Sequence, residues 1–254
     1  MSNADEWKYQ DYCDALEAEA THFVDVVRGV DPATPVPSCP GWTIADLIKH
    51  HGSSQRRAEY VVRHSSQEPV LSQDCRADLP RDLADYALWF AVGTRPLIAT
   101  LRAANPDAPV WTNGADQHAR YWARRILYEA VVHRADAELA LGREPRIQSR
   151  RAADGIEEFL TNIQCFPWVA ERLRELDADG QTLHFHSTDY EGEWIVTLND
   201  RTFTWERGHK RATVAVRGPA SDLLLLIYGR LPASRFTVMG DDLLLTQWLS
   251  KSAF

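Results

Sequence analysis

Along the first half of the chain, apolar residues recur at steps of three and four. From Asp5 to Val27 the stripe Tyr12, Leu16, Ala20, Phe23, Val24 and Val27 crosses an otherwise acidic segment, the pattern of an amphipathic helix. His22 lies just off that stripe and reads as a solvated or half-buried helix histidine. Residues 31–41, DPATPVPSCPG, hold four prolines. Each lacks an amide proton and biases its predecessor away from helix, so a stiff loop is expected. The loop ends at a helix start in Trp42-Thr43-Ile44-Ala45-Asp46-Leu47, where Thr43 can cap, Asp46 faces the helix dipole and Trp42 can staple onto Leu47. That helix should run to about His64, followed by a polar loop over 65–80. Leu83, Tyr86, Ala87, Phe90, Leu97, Ile98 and Leu101 mark a third helix over Asp82 to Ala104, with a kink or break expected at Arg95-Pro96. The fourth spans Tyr121 to Gly142, apolar at Trp122, Ile126, Leu127, Ala130, Val131, Ala137 and Leu139, and is stopped by Gly142. Four such helices joined by modest loops read as a four-helix bundle over residues 1–145, a fold whose metal sites are built from inward residues of facing helices.

The period then changes. Arg143 to Arg151 reads as a linker, and Ala152 to Leu176 is helical in period with a break at Cys165-Phe166-Pro167. From Gln181 the runs QTLHFHSTD, EWIVTLND, RTFTWERG and ATVAVRG alternate with period two and are separated by Asp-Tyr-Glu-Gly, Asn-Asp and Gly-His, read as hairpin signals. Ala220 to Tyr228 reads as an apolar helix, FTVMG as a further strand, and Asp241 to Leu249 as a last helix. Residues 146–254 are therefore expected to form a smaller α+β domain.

Composition narrows the function. A chain of 254 residues is long enough for two domains with substantial cores. A formal charge of −8, with no basic run longer than Arg143 to Arg151, argues against a nucleic-acid partner. The polar, acidic N-terminus MSNADEWKYQ lacks a signal-peptide pattern, and no apolar run approaches about 20 residues, so a soluble cytoplasmic protein without membrane association is expected. Cys13, Cys39, Cys75 and Cys165 are widely spaced with no CxxC, which points any metal toward histidine and carboxylate. There is no GxSxG elbow, GxGxxG turn or P-loop.

Glu129 and His133 stand four apart on the fourth helix, so both leave one face about a turn from each other. Such a pair serves either as a surface ion pair or as half of a metal site. His50 and His51 are about 100° apart around their helix axis, so one of them can point into a given site. His50 shares a face with Leu47 and is expected inside, as a hydrogen-bonded structural residue or a ligand, while His51 is expected to be exposed. His50, Glu129 and His133 together would make three protein ligands and leave one open position on zinc, the arrangement of catalytic sites, though the same set suits ferrous iron. Arg125, a turn before Glu129, and Asp136, three after His133, would either support these ligands or form plain surface pairs. His184 and His186 share a strand face, a geometry compatible with metal, but no carboxylate is evident on that face.

The stretches CPGWTIADLIKHH, ARRILYEAVVHRADAELALG, DLLLLIYGRLP and FTVMGDDLLLTQWL resemble, in order and across nearly the whole chain, the mycothiol-dependent maleylpyruvate isomerase family. The resemblance implies a DinB-like N-terminal bundle with zinc held by His50, Glu129 and His133, and mycothiol as thiol cosubstrate. It also implies a functional arginine in the C-terminal domain, for which Arg230 in Ile-Tyr-Gly-Arg is the candidate; Arg95, at the expected break in the third helix, is a weaker candidate for gripping a dicarboxylate substrate. A helix-terminal arginine complementing the helix dipole is the other reading of Arg230. The expected partners are mycothiol and a small electrophile, in a monomer or weak oligomer. Isomerase and S-transferase share their first step and stay open here, as do a thiol-independent metal hydrolase and a non-catalytic zinc-binding module.

Overall fold

The computed structural model describes residues 7–76, 78–200 and 202–253, and its backbone contacts divide the chain into two compact units, 1–145 and 146–254. In the first, four long helices follow one another: α1 (Tyr9–Val27), α2 (Ile44–His64), α3 (Tyr86–Ala103) and α4 (Ala119–Ala140). Asp5, where the first stripe begins in the sequence, lies outside the described residues. Helix α1 flanks α4 and α3, and α2 flanks the same two, so the bundle is closed in the order α1, α4, α2, α3. Phe23, Val27, Ile44, Leu47, Ile48 and Phe90 meet in its core, each fully buried side chain of this size contributing roughly 1.5–3 kcal/mol.

Local chemistry sets the helix ends. Thr43 caps α2, accepting from the Asp46 amide, while Asp46 returns the contact to the Thr43 amide at 3.2 Å. Helix α4 stops because Gly142 adopts φ +68°, letting the Arg143 amide reach back to the Glu138 carbonyl at 2.8 Å. The expected break at Arg95-Pro96 is absent: α3 runs continuously through Pro96. Proline removes one hydrogen bond there, but Phe90, Leu97, Ile98 and Leu101 are buried on both sides of it, and that packing holds the helical path.

The residues of α4 from Ala130 to Glu138 are buried without exception, so this stretch of the helix is enclosed on every side. Enclosure extends to charges. Arg134, 1% exposed, lies between Glu19 of α1 and Glu138, donating to them at 2.6 and 2.5 Å. A buried guanidinium is tolerated only when so paired.

The second unit begins with α5 (Ser149–Ile163) and α6 (Pro167–Arg174), separated at 164–166 because Pro167 cannot continue a helix but suits the first turn of a new one. Strands β1 (Thr182–Ser187), β2 (Glu193–Leu198), β3 (Phe203–Arg207), β4 (Val214–Gly218) and β5 (Thr237–Gly240) form one sheet in the order β3-β2-β1-β4-β5, with α7 (Ala220–Ile227) and α8 (Asp242–Ser252) beside it. One face of alternating residues, Leu183, Phe185, Val196, Val214 and Val216, is buried, and Phe185 packs on Trp248 of α8 at 5.6 Å. The hairpin expected at Gly208-His209 does not form. Strand β4 instead pairs in parallel with β1, so after β3 at the sheet edge the chain crosses to the far side of the central strand. No described helix is long and apolar enough to cross a membrane.

Candidate functional site

Two adjacent helices, α2 and α4, bring His50, Glu129 and His133 together. The Nε2 atom of His133 lies 3.0 Å from Glu129 Oε2, and His50 Nε2 lies 3.8 Å from the same oxygen. The three donor atoms stand within 4.8 Å of one another. Trp42, at the mouth of α2, lies against the His50 ring at 4.9 Å. His133 is buried while the His50 side chain is 43% exposed, so the group opens to solvent on the His50 side.

His133 and Glu129 are each held from behind. His133 Nδ1 lies 3.0 Å from Asp136 Oδ2, which turns its Nε2 toward Glu129. Asp136 is fully buried and is fixed in turn by the hydroxyl of Ser38 at 2.6 Å and the thiol of Cys39 at 3.4 Å, both from the proline-rich loop. Arg125 donates to Glu129 Oε1 at 2.7 Å, leaving Oε2 toward the histidines. Neither pair is a plain surface ion pair: both are largely buried. Burial pushes the Glu129 carboxyl up, but the Arg125 charge and the imidazoles of His133 and His50 hold it well below the ordinary carboxylate range. Burial pulls His133 down, while its contacts with Asp136 and Glu129 carry it above the usual imidazole value.

His51 corrects the sequence reading. It is fully buried, with its ring 4.8 Å from Phe90, 5.3 Å from Phe23 and 5.7 Å from His133. The buried stripe of α2 runs through Ile44, Leu47, Ile48, His51, Gln55, Ala58 and Val62, so its centre passes through His51 and leaves His50 at the edge. Spacing from Leu47 alone misjudged that phase. Burial, and then the charge on His133, keep the His51 ring well below its usual pKa and so neutral.

Cys39, His133 and Asp136 also converge, through the other nitrogen of His133. That nitrogen faces the Asp136 carboxylate at 3.0 Å. A groove of about 540 Å³ lies elsewhere on α2, lined by Arg56, Glu59, Tyr60 and the 69–78 loop; none of the three site residues lines it.

Arg230 sits just past α7. Gly229, at φ +74°, allows the Arg230 amide to bond the Leu225 carbonyl at 2.7 Å, and the guanidinium donates to the Tyr228 carbonyl at 2.6 Å. One N–H of its guanidinium thus meets a helix-terminal carbonyl. Arg95 is exposed on α3.

The sequence reading missed a group on the sheet. His184 and His186 do have a carboxylate beside them: Glu193 pairs directly opposite His186 in the β1–β2 register. Its Oε2 lies 2.7 Å from His184 Nε2, 3.0 Å from His186 Nδ1 and 2.6 Å from Nδ1 of His209, in the turn after β3. Burial pushes the Glu193 carboxyl up, yet the three imidazoles bring it down to about 2. Alternation shows which residues of one strand share a face; only the register shows what the next strand brings.

A four-helix bundle with two histidines and a carboxylate on adjacent helices, followed by a small mixed-sheet unit, defines a two-domain protein with a candidate metal centre in its first domain. Residues 13–138 match the model of the mycothiol maleylpyruvate isomerase N-terminal domain, and residues 150–247 that of the MDMPI C-terminal domain. The chain belongs to the mycothiol-dependent maleylpyruvate isomerase family. Among solved structures, one described as the mycothiol-dependent maleylpyruvate isomerase aligns with TM-score 0.61 and 15% identity, covering 94% of this chain and 95% of that one. A histidine-to-alanine variant of that description aligns with TM-score 0.63 and 14% identity over the same shares. At such identity the likeness shows the shared fold. A search of curated proteins finds no match.

Proposed function

We propose that the protein is a metal- and thiol-dependent enzyme acting on a small electrophile, with His50, Glu129 and His133 as the metal ligands. The observation that carries this reading is the convergence of those three donors with both inner ones held from behind by Asp136 and Arg125. The donor set fits zinc: two imidazole nitrogens and one carboxylate oxygen, with the exposed side of His50 leaving room for a further ligand. Bound zinc would supply a Lewis acid that lowers the proton affinity of a thiol at neutral pH.

The chain's own residues do the remaining work. With a metal bound, Asp136 would hold the His133 proton on Nδ1 and leave Nε2 to the ion, and Arg125 keeps Glu129 ionised and oriented. Family membership supports mycothiol as the thiol and a cis oxo-diacid such as maleylpyruvate as the substrate. In that reaction the thiol sulfur adds to the cis double bond, the resulting single bond rotates, and the sulfur leaves to give the trans product, so no net atom is transferred. A dicarboxylate calls for a guanidinium, whose planar fork grips carboxylates by two bonds, and Arg230 is our candidate for that contact.

The test is zinc content by elemental analysis together with turnover of maleylpyruvate, with and without mycothiol. Thiol-dependent isomerisation supports the reading. Turnover that needs metal but no thiol would replace it with a hydrolase, and metal binding without turnover of maleylpyruvate, epoxides or quinones would replace it with a non-catalytic module.

A further inference from the structure

We propose that His184, His186, Glu193 and His209 form a second metal site, in the C-terminal unit, that takes a zinc-class divalent ion. Three imidazole nitrogens, from three positions in two separate segments, lie 2.6 to 3.0 Å from a single carboxylate oxygen. One carboxylate oxygen has two lone pairs, so three ring nitrogens crowd it beyond what hydrogen bonding uses. The same four atoms suit a cation. They lie within 4.8 Å of one another, and metal bonds of about 2.0–2.2 Å in a tetrahedron place ligand atoms about 3.3–3.6 Å apart, so the carboxylate oxygen would move outward by roughly half an ångström to seat the ion.

The rings are arranged to share one point. His184 stands at 82° to His186 and 86° to His209, and His186 at 76° to His209, so their edges converge from three directions. Three of the four residues are carried on paired strands: His184 and His186 alternate on one face of β1, and Glu193 is the direct partner of His186 on β2. Only His209 comes from a turn, and its side chain is 75% exposed, which gives an ion a way in. Arg217 lies next to His186 across β4, but it is exposed, so water screens its charge.

Ligand chemistry selects the ion. Imidazole-rich sets favour zinc and its transition-metal neighbours, whereas calcium and magnesium require mostly oxygen. Four protein ligands close a tetrahedral shell, which is the pattern of structural zinc. An ion here would tie the β1–β2 hairpin to the turn at which the chain leaves edge strand β3 and crosses to β4. This inference does not depend on the function proposed for the bundle.

The experiment uses the full chain dialysed against zinc and counted by elemental analysis, in four forms: wild type, His133→Ala, His186→Ala with His209→Ala, and all three changes together. The expected counts are two, one, one and none per chain. Cobalt bound to His133→Ala should show the intense visible bands of a tetrahedral site. Since His209 is exposed, His209→Ala alone tests the site without threatening the fold, and it should weaken zinc binding to the His133→Ala background by more than about tenfold. No zinc on folded His133→Ala, or unchanged binding when His209 is replaced, would overturn the proposal. A single zinc that is lost only with His186 and His209 would keep this site and remove the one in the bundle.

Discussion

The two histidine clusters meet the same requirement by opposite means. In the bundle, Glu129 and His133 come from one helix and His50 from its neighbour, and the inner ligands are backed by the charges of Arg125 and Asp136. On the sheet, the histidines are presented by strand alternation and cross-strand register, and one carboxylate gathers all three. The first offers three protein donors and an open side; the second offers four. That difference is the physical line between a site that can take a substrate and one that ties a fold together.

The comparison can be broken most forcefully through the bundle's buried charges. Replacing Arg134 by Ala would remove the buried charge that Glu19 and Glu138 share, and should cost about 3–5 kcal/mol of stability, read from the denaturant midpoint. A loss below about 1 kcal/mol would show that this end of α4 is wetter than its burial implies. Next comes His133→Ala, which should remove the bundle's metal equivalent and reduce thiol-dependent kcat/KM by more than about 100-fold while circular dichroism stays unchanged. Full turnover in that variant would take the chemistry away from the bundle.

Asp136→Asn is a milder probe, because it keeps the shape and removes the charge behind His133. Metal affinity at the bundle should fall roughly 10- to 100-fold, with the sheet's equivalent retained, as followed by competition with a chelator. Equal losses at both sites would erase the distinction drawn between them. The smallest effect is expected at the rim of α2, where Asp78 accepts from Arg56 and from the Trp89 indole. Burial raises the Asp78 carboxyl, but these contacts bring it below its ordinary value of 3.8. A depressed folded pKa means that the stabilisation is fully present above 3.8 and is lost as pH falls through the lowered value. Because this side chain is 58% exposed, Asp78→Asn should cost well under about 1 kcal/mol at neutral pH. The gap between variant and wild type should close in acid denaturation curves; a gap that persists there would assign the effect to something other than charge.

Much of this was legible before any fold was known, and the failures share a cause. The capping box at Thr43 and Asp46, the stop at Gly142 and the i, i+4 pair of Glu129 and His133 are local, so spacing alone reveals them. His51 was misplaced because the phase of α2 is set by what packs on it, and one apolar neighbour, Leu47, does not fix the centre of a stripe that extends to Val62. A kink or break was expected at Pro96 because its local cost is visible in sequence; the break does not occur, and the burial of Phe90 and Leu97 around it is not visible there. Glu193 passed unnoticed beside His186 because they are neighbours across a ladder and not along the chain.

What the sequence determined by itself is what a 3.6-residue or 2-residue period can carry: which segments are helices or strands, where they stop, and which side chains within one segment share a face. Only the tertiary structure decided which segments became neighbours. It set His50 beside Glu129, placed β4 in parallel against β1 and closed three histidines around Glu193. The reason is physical: periodicity is a property of each backbone segment, while register and packing phase come from burying many faces at once, and no single segment contains that information.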